Sequence, residues 1–225
     1  YDEALTRLLA GATPVRDTES VPTQAAAGRV LAAPLGSTLD VPPLDNTSMD
    51  GYAVRCADVP ASGTRLAVAQ RIPAGSVGHT LAPGTAARIF TGAPLPAGAD
   101  AVVMQELCAV EGGAVTINHV PRPGEWIRRR GEDIAAGAEV LAAGTRLTAA
   151  HVGVAASVGA ARLTVFRRLR VALFSTGDEL AMPGEPLKPG GIYNSNRYTL
   201  RALLEAMGCV VDDCGIVPDR RDATI

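Results

Sequence analysis

The spacing of apolar positions changes along the chain, and each change predicts a different kind of element. Residues 2–10 place Leu5, Leu8 and Leu9 on one helical face, with Asp2 and Glu3 in the first turn and Gly11 after the last, which predicts a short amphipathic helix. A second helical stretch is expected over 25–33, ending at Pro34. From 38 to 133 the texture turns to short β-like runs between Pro and Gly turns: 66–69, 86–90, 101–105, and a hairpin over 107–117 that reverses at Glu111-Gly112-Gly113. This part predicts a compact, mostly β module.

Helical spacing returns near Thr148, the expected N-cap of a helix of small residues that runs to Ser157 before Gly159. Residues 170–175 then read as an apolar strand, Thr176-Gly177-Asp178-Glu179 as a polar turn at its carboxyl end, 195–207 as a helix closed by Gly208, and 210–217 as a further strand. Strand, turn, helix and strand in that order predict a βαβ unit, whose ligands generally lie beyond the carboxyl ends of the strands. Another helix is expected to open after Asp219. Parallel sheets are usually covered by helices on both faces, so the unit reads as the start of a larger α/β domain. The predicted chain is therefore multidomain, α+β and α/β. An N-terminal helix and the first part of a helical/β linker domain occupy 1–37, an inserted mostly β module 38–134, the second part of the linker domain 135–167, and the start of an α/β domain 168–225.

Composition narrows the class. At 225 residues the chain exceeds one average domain, and with 47% hydrophobic but only 4% aromatic residues its core must rest on Val, Leu, Ile and Ala. A net charge of -2 with mixed signs gives no electrostatic case for nucleic acid or for an anionic membrane. Cys56, Cys108, Cys209 and Cys214 lack the paired short spacing of zinc or redox sites, and their number does not suggest a disulfide scaffold. No run of 18 apolar residues occurs, and the start Tyr1-Asp2-Glu3-Ala4-Leu5 lacks the features of a signal peptide, so a cytoplasmic location is expected. Lys188 is the only lysine among 21 basic residues, which reads as an arginine bias before anything mechanistic.

The stretch from Val41 to Arg55 stands apart, because its polar centre fits neither a strand nor an amphipathic helix. Two prolines set an extended entry, Asp45, Asn46, Thr47 and Ser48 offer side chains that hold a tight turn, and Asp50-Gly51 supplies a second bend before Tyr52. Three further polar turns share its character. In Phe90-Thr91-Gly92 an apolar strand ends on a hydroxyl followed by Gly, which leaves Thr91 and its backbone N–H free for an oxyanion. Arg128-Arg129-Arg130-Gly131-Glu132-Asp133 gathers cations and carboxylates on one turn, a pattern that also suits a solvated face. Ser175-Thr176-Gly177-Asp178-Glu179 lies at a strand end, where Asp178 or Ser175 could instead cap the following helix. His79, His119 and His151 sit apart, so nucleophilic Ser-His or Cys-His chemistry is poorly supported. Carboxylates, hydroxyls and Arg suit a hard cation such as Mg2+ together with a phosphate or another oxyanion.

These segments, Pro43-Leu44-Asp45-Asn46-Thr47-Ser48-Met49-Asp50-Gly51-Tyr52-Ala53-Val54, Ile89-Phe90-Thr91-Gly92-Ala93-Pro94-Leu95-Pro96, Gly131-Glu132-Asp133-Ile134, and Ser175-Thr176-Gly177-Asp178-Glu179-Leu180 with Ile192-Tyr193-Asn194-Ser195-Asn196, strongly resemble the MoeA family. The likeness runs over essentially the whole chain. Members of that family are molybdopterin molybdenumtransferases. The resemblance implies insertion of molybdate into adenylylated molybdopterin with Mg2+-dependent release of AMP, the last step of molybdenum cofactor synthesis. By matching positions, Asp50, Thr91, Asp133 and Glu179 are the expected catalytic residues, with Arg128, Ser175, Thr176 and Asp178 expected to bind substrate and Asp50 and Glu179 to hold Mg2+. It also implies a three-layer α/β molybdopterin-binding domain, a homodimer in which Asp50 and Thr91 act on a ligand near Glu179 of the other subunit, and molybdopterin adenylyltransferase as the upstream partner.

Two departures bear on these expectations. Thr47-Ser48 stands where Ser-Ala is more usual, a mild change that keeps a hydroxyl. The family's later Ser-Gly-Gly and Lys-Pro-Gly segments and its final β domain lie outside the 225 residues, so the chain alone is not expected to turn over. A non-catalytic molybdopterin-binding or scaffold module is the alternative reading. A hydrolase of nucleotide-like substrates is a weaker third, disfavoured by the β module that precedes the α/β unit.

Overall fold

In a computed structural model of the chain, the described residues are 1–218, and the helix expected after Asp219 lies outside them. The chain divides into two compact units, one from Gly36–Val140 and the other from Tyr1–Leu35 with Leu141–Ile225. Structurally it is mostly β with few helices.

The Gly36–Val140 unit is built on a six-stranded sheet in the order Ala101–Met104, Gly51–Val54, Thr85–Ile89, Thr64–Ile72, Ala114–Ile117, Cys108–Glu111. Every pairing is antiparallel except that of Thr64–Ile72 with Thr85–Ile89. Apolar side chains cover both faces. Tyr52, Val54, Leu66, Ala86, Val103 and Val115 pack in one cluster, and Ala53, Ile72, Leu81, Ala87, Ile89 and Val102 in another. Successive residues of Gly51–Val54 thus enter opposite clusters, as a pleated strand requires, and all its residues are buried. This is why the strand reads as a continuous apolar run rather than an alternation. The expected hairpin is present, and it reverses on Gly112 and Gly113 at φ 57° and 80°, where a side chain would be strained.

In the other unit, Thr18–Pro22 pairs antiparallel with Arg162–Phe166, a contact joining distant parts of the chain that local pattern did not predict. The helix over Asp2–Ala10 is present and buries none of its residues. The helix expected over 25–33 is not. A single 3-10 turn, Thr23–Ala25, is followed by Gly28 at φ 79°, and bridges from Val30 to Arg146 and from Leu31 to Val165 then hold the backbone extended. Tertiary pairing overrides the helical composition there. Helix Ala149–Ser157 begins at Thr148 as expected, through a capping box in which the Thr148 hydroxyl accepts the His151 N–H and His151 Nδ1 accepts the Thr148 N–H at 3.1 Å. Strands Arg170–Thr176 and Val210–Val217 lie parallel on either side of helix Ser195–Ala206 in sequence, giving the βαβ unit. The cap of that helix is Asn194, whose Oδ1 accepts the Arg197 N–H, and not Ser175 or Asp178. Asn194 is adjacent to the helix start, whereas the earlier turn is separated from it by the short Leu180–Ala181 and Ile192–Tyr193 pair. Among the described residues no helix is long and apolar enough to cross a membrane.

Candidate functional site

The turn before Gly51–Val54 is held by its own side chains. Thr47, 1% exposed, pairs through Asn46–Thr47 with Ile127–Arg128, and its hydroxyl donates to the Met49 carbonyl at 2.7 Å and accepts the Met49 N–H at 3.1 Å. The Ser48 N–H donates to the Trp126 carbonyl at 3.1 Å and the Ser48 hydroxyl to the same oxygen at 3.2 Å. Asp50 then leaves the turn beside the end of Thr85–Ile89. Its Oδ1 accepts the Thr91 N–H at 2.8 Å and the Thr91 hydroxyl at 2.7 Å. These two bonds, the N–H first, hold the Asp50 carboxyl below its ordinary value of 3.8, with the charge of Arg88 adding to them.

That geometry corrects one expectation. Thr91 and its N–H are not free for an oxyanion, because Asp50 already occupies both. A strand-end turn with two convergent donors attracts an anion, and the chain supplies one from 41 residues upstream. Among the described residues Asp50 Oδ2 takes no hydrogen bond, which leaves it for a ligand or cation.

Around this pair lies a cationic and aromatic group: Arg88 and Phe90 belong to the motif read from the sequence without a role, and Arg71 was missed. Arg88 donates to the Gly51 carbonyl at 2.9 Å and to Gln105, and its guanidinium stands 4.4 Å from the centre of the Phe90 ring. Arg71, its cross-strand neighbour, stands 4.3 Å from the same ring. The available signal was the Arg-Ile-Phe spacing at 88–90, which puts Arg88 and Phe90 on one face of a strand.

The arginine turn is a paired network. Arg128 binds both carboxylate oxygens of Asp133, at 2.6 and 2.5 Å, so the two expected site residues are brought together with each other. Arg129 donates to Asp45 at 2.7 Å, and Arg130 to Asp40, whose other oxygen accepts the Ala136 N–H. The backbone N–H of Arg130 on Asp45, and that of Ala136 on Asp40, are the leading causes that lower those carboxyls. Asp40 is a member of this network that sequence reading missed.

In the βαβ unit, Ser175 and Thr176 end the strand Arg170–Thr176, and Asp178 and Glu179 lie on the turn that follows it. Gly177 has φ 141°, and a Cβ there would fall 2.6 Å from Glu179 Oε2, so the glycine makes room for the carboxylate. Asp178, Glu179 and Lys188 line a cavity of about 400 Å³ on this unit. The Ser175 hydroxyl lies 3.4 Å from Asn194 Oδ1. Among the described residues no three His, Cys, Asp or Glu gather into a group that could hold a metal by themselves. Mg2+ usually keeps several waters and takes one or two carboxylates with substrate phosphates, a donor set that Asp50 Oδ2 or Glu179 fits. Burial is the leading cause that pushes the Cys56 thiol up to about 12 and that of Cys108 up to about 11, which disfavours the thiolate of each.

A family described as MoeA N-terminal region (domain I and II) matches residues 1–159, and one described as probable molybdopterin binding domain matches 172–225. A molybdopterin molybdenumtransferase of Nostoc sp. is 47% identical over 213 residues, covering 92% of this chain and 49% of that relative. The protein of the same name from Haemophilus influenzae is 42% identical, covering 97% and 54%. A crystal structure of the molybdopterin biosynthesis moeA protein from Pyrococcus horikoshii superposes with a TM-score of 0.89 at 35% identity, over 99% of this chain and 60% of that one. The chain spans about half the length of the curated relatives it matches. On the match over residues 1–159 and the identities of these relatives, the chain belongs to the MoeA family.

Proposed function

We propose that the protein is a molybdopterin molybdenumtransferase, which inserts molybdate into adenylylated molybdopterin and releases AMP. The observation that carries this reading is the Asp50–Thr91 pair, a carboxylate fixed by two hydrogen bonds with one oxygen left open, in a chain whose relatives bear that name. Thr91 serves here to hold Asp50 ionised and oriented. Asp133 orients the Arg128 guanidinium, which is assigned to substrate binding. Ser175, Thr176 and Asp178 are assigned to substrate binding beside Glu179, and Asp50 and Glu179 are assigned as Mg2+ ligands. When bound, Mg2+ would offset phosphate charge as AMP leaves.

The reading extends to the whole protein. It takes 1–37 with 135–167 as a linker domain, 38–134 as an inserted module and 168–225 as the start of a three-layer α/β molybdopterin-binding domain. It also takes the protein as a cytoplasmic homodimer that receives its substrate from molybdopterin adenylyltransferase.

The test is AMP release from adenylylated molybdopterin by the purified full-length protein. Release is expected only with molybdate present, and Asp50→Asn or Glu179→Gln should slow it roughly a hundredfold or more. Unchanged release in both variants would remove the site assignment. Binding without any release would favour the non-catalytic molybdopterin-binding or scaffold module.

A further inference from the structure

Trp126 is the only tryptophan of the chain and, among the described residues, the only non-glycine with positive φ, at 56°. The left-handed region is costly for a bulky side chain, and Asn or Gly would meet the demand of the turn at less cost. The residue is nevertheless 42% exposed, so packing in a core does not repay the strain.

The surrounding backbone is strongly determined. The Trp126 carbonyl takes both donors of Ser48, the Glu125 carboxylate accepts the Arg122 N–H at 2.8 Å and contacts His119 Nε2 at 2.8 Å, and the Ile127 N–H returns to the Gly124 carbonyl. A rigid turn thus presents an exposed indole two residues before Arg128, and its carbonyl is bonded two residues before Asp50. Strain held by over-determined surroundings points to a use for the side chain.

We propose that the Trp126 indole is a stacking platform for a planar heterocycle of the substrate. This rests on the molybdenumtransferase reading, which supplies two such rings, the adenine of the adenylyl group and the pterin. An exposed indole offers an apolar face to either ring, while Arg128 nearby is suited to a phosphate.

The experiment uses the full-length protein, with AMP and adenylylated molybdopterin as separate probes. Affinity is measured by equilibrium dialysis, and the Trp126 indole is followed by fluorescence as the difference between the parent and Trp126→Asn. Bound heterocycle should quench the emission. Trp126→Asn should weaken binding roughly tenfold, while relief of the left-handed strain raises Tm by roughly 2–4 °C. Quenching by AMP assigns the adenine to the platform; quenching by adenylylated molybdopterin alone assigns the pterin. Binding at unchanged affinity in Trp126→Asn, with no quenching in the parent, overturns the platform and leaves the proposed function standing. Failure of the parent protein to bind either probe overturns both.

Discussion

A Cβ added at Gly51 would stand 2.0 Å from the Val103 carbonyl oxygen, inside the pairing of Gly51–Val54 with Ala101–Met104. No flexible side chain is there to give way. Gly51→Ala is therefore expected to cost roughly 3 kcal/mol or more, read as a lower urea midpoint with an unchanged slope, and to displace Asp50 from Thr91. At this scale the polar turns and their residue types were legible in the sequence, because Asp, Asn, Thr and Gly each carry a local conformational preference. The partner of Thr91 was not legible. It lies 41 residues away, and only the register of two strands brings it there.

Helix Ala149–Ser157 could be read in advance, since its capping box joins residues three apart. Thr148→Ala should destabilise the protein by about 1 kcal/mol, seen as a lower Tm with the far-ultraviolet signal retained. The expected helix over 25–33 failed for the opposite reason. Its alanines favour helix only while nothing else competes, and the Leu31 N–H instead donates to the Thr145 carbonyl while the Leu31 carbonyl accepts the Gly144 N–H. Strand Thr18–Pro22 escaped notice for the same cause, its partner being Arg162–Phe166.

Across the molecule, Asp40, Asp45, Asp50 and Asp213 all have carboxyls lowered below 3.8, each held by N–H groups or guanidinium. The unfolded chain then binds more protons than the folded one in acid. Stability should be level near neutrality and fall as pH drops below about 4 through the lowered folded values. Urea midpoints across that range check the sign, and Asp50→Asn should flatten the fall. The sequence by itself determined the family likeness, the local turns, the Thr148 cap and the βαβ order, because each depends on near neighbours. Tertiary structure alone decided that Thr91 binds Asp50, that Arg129 is paired with Asp45, and that Trp126 is held in a strained turn by Ser48, because each depends on a register between distant segments.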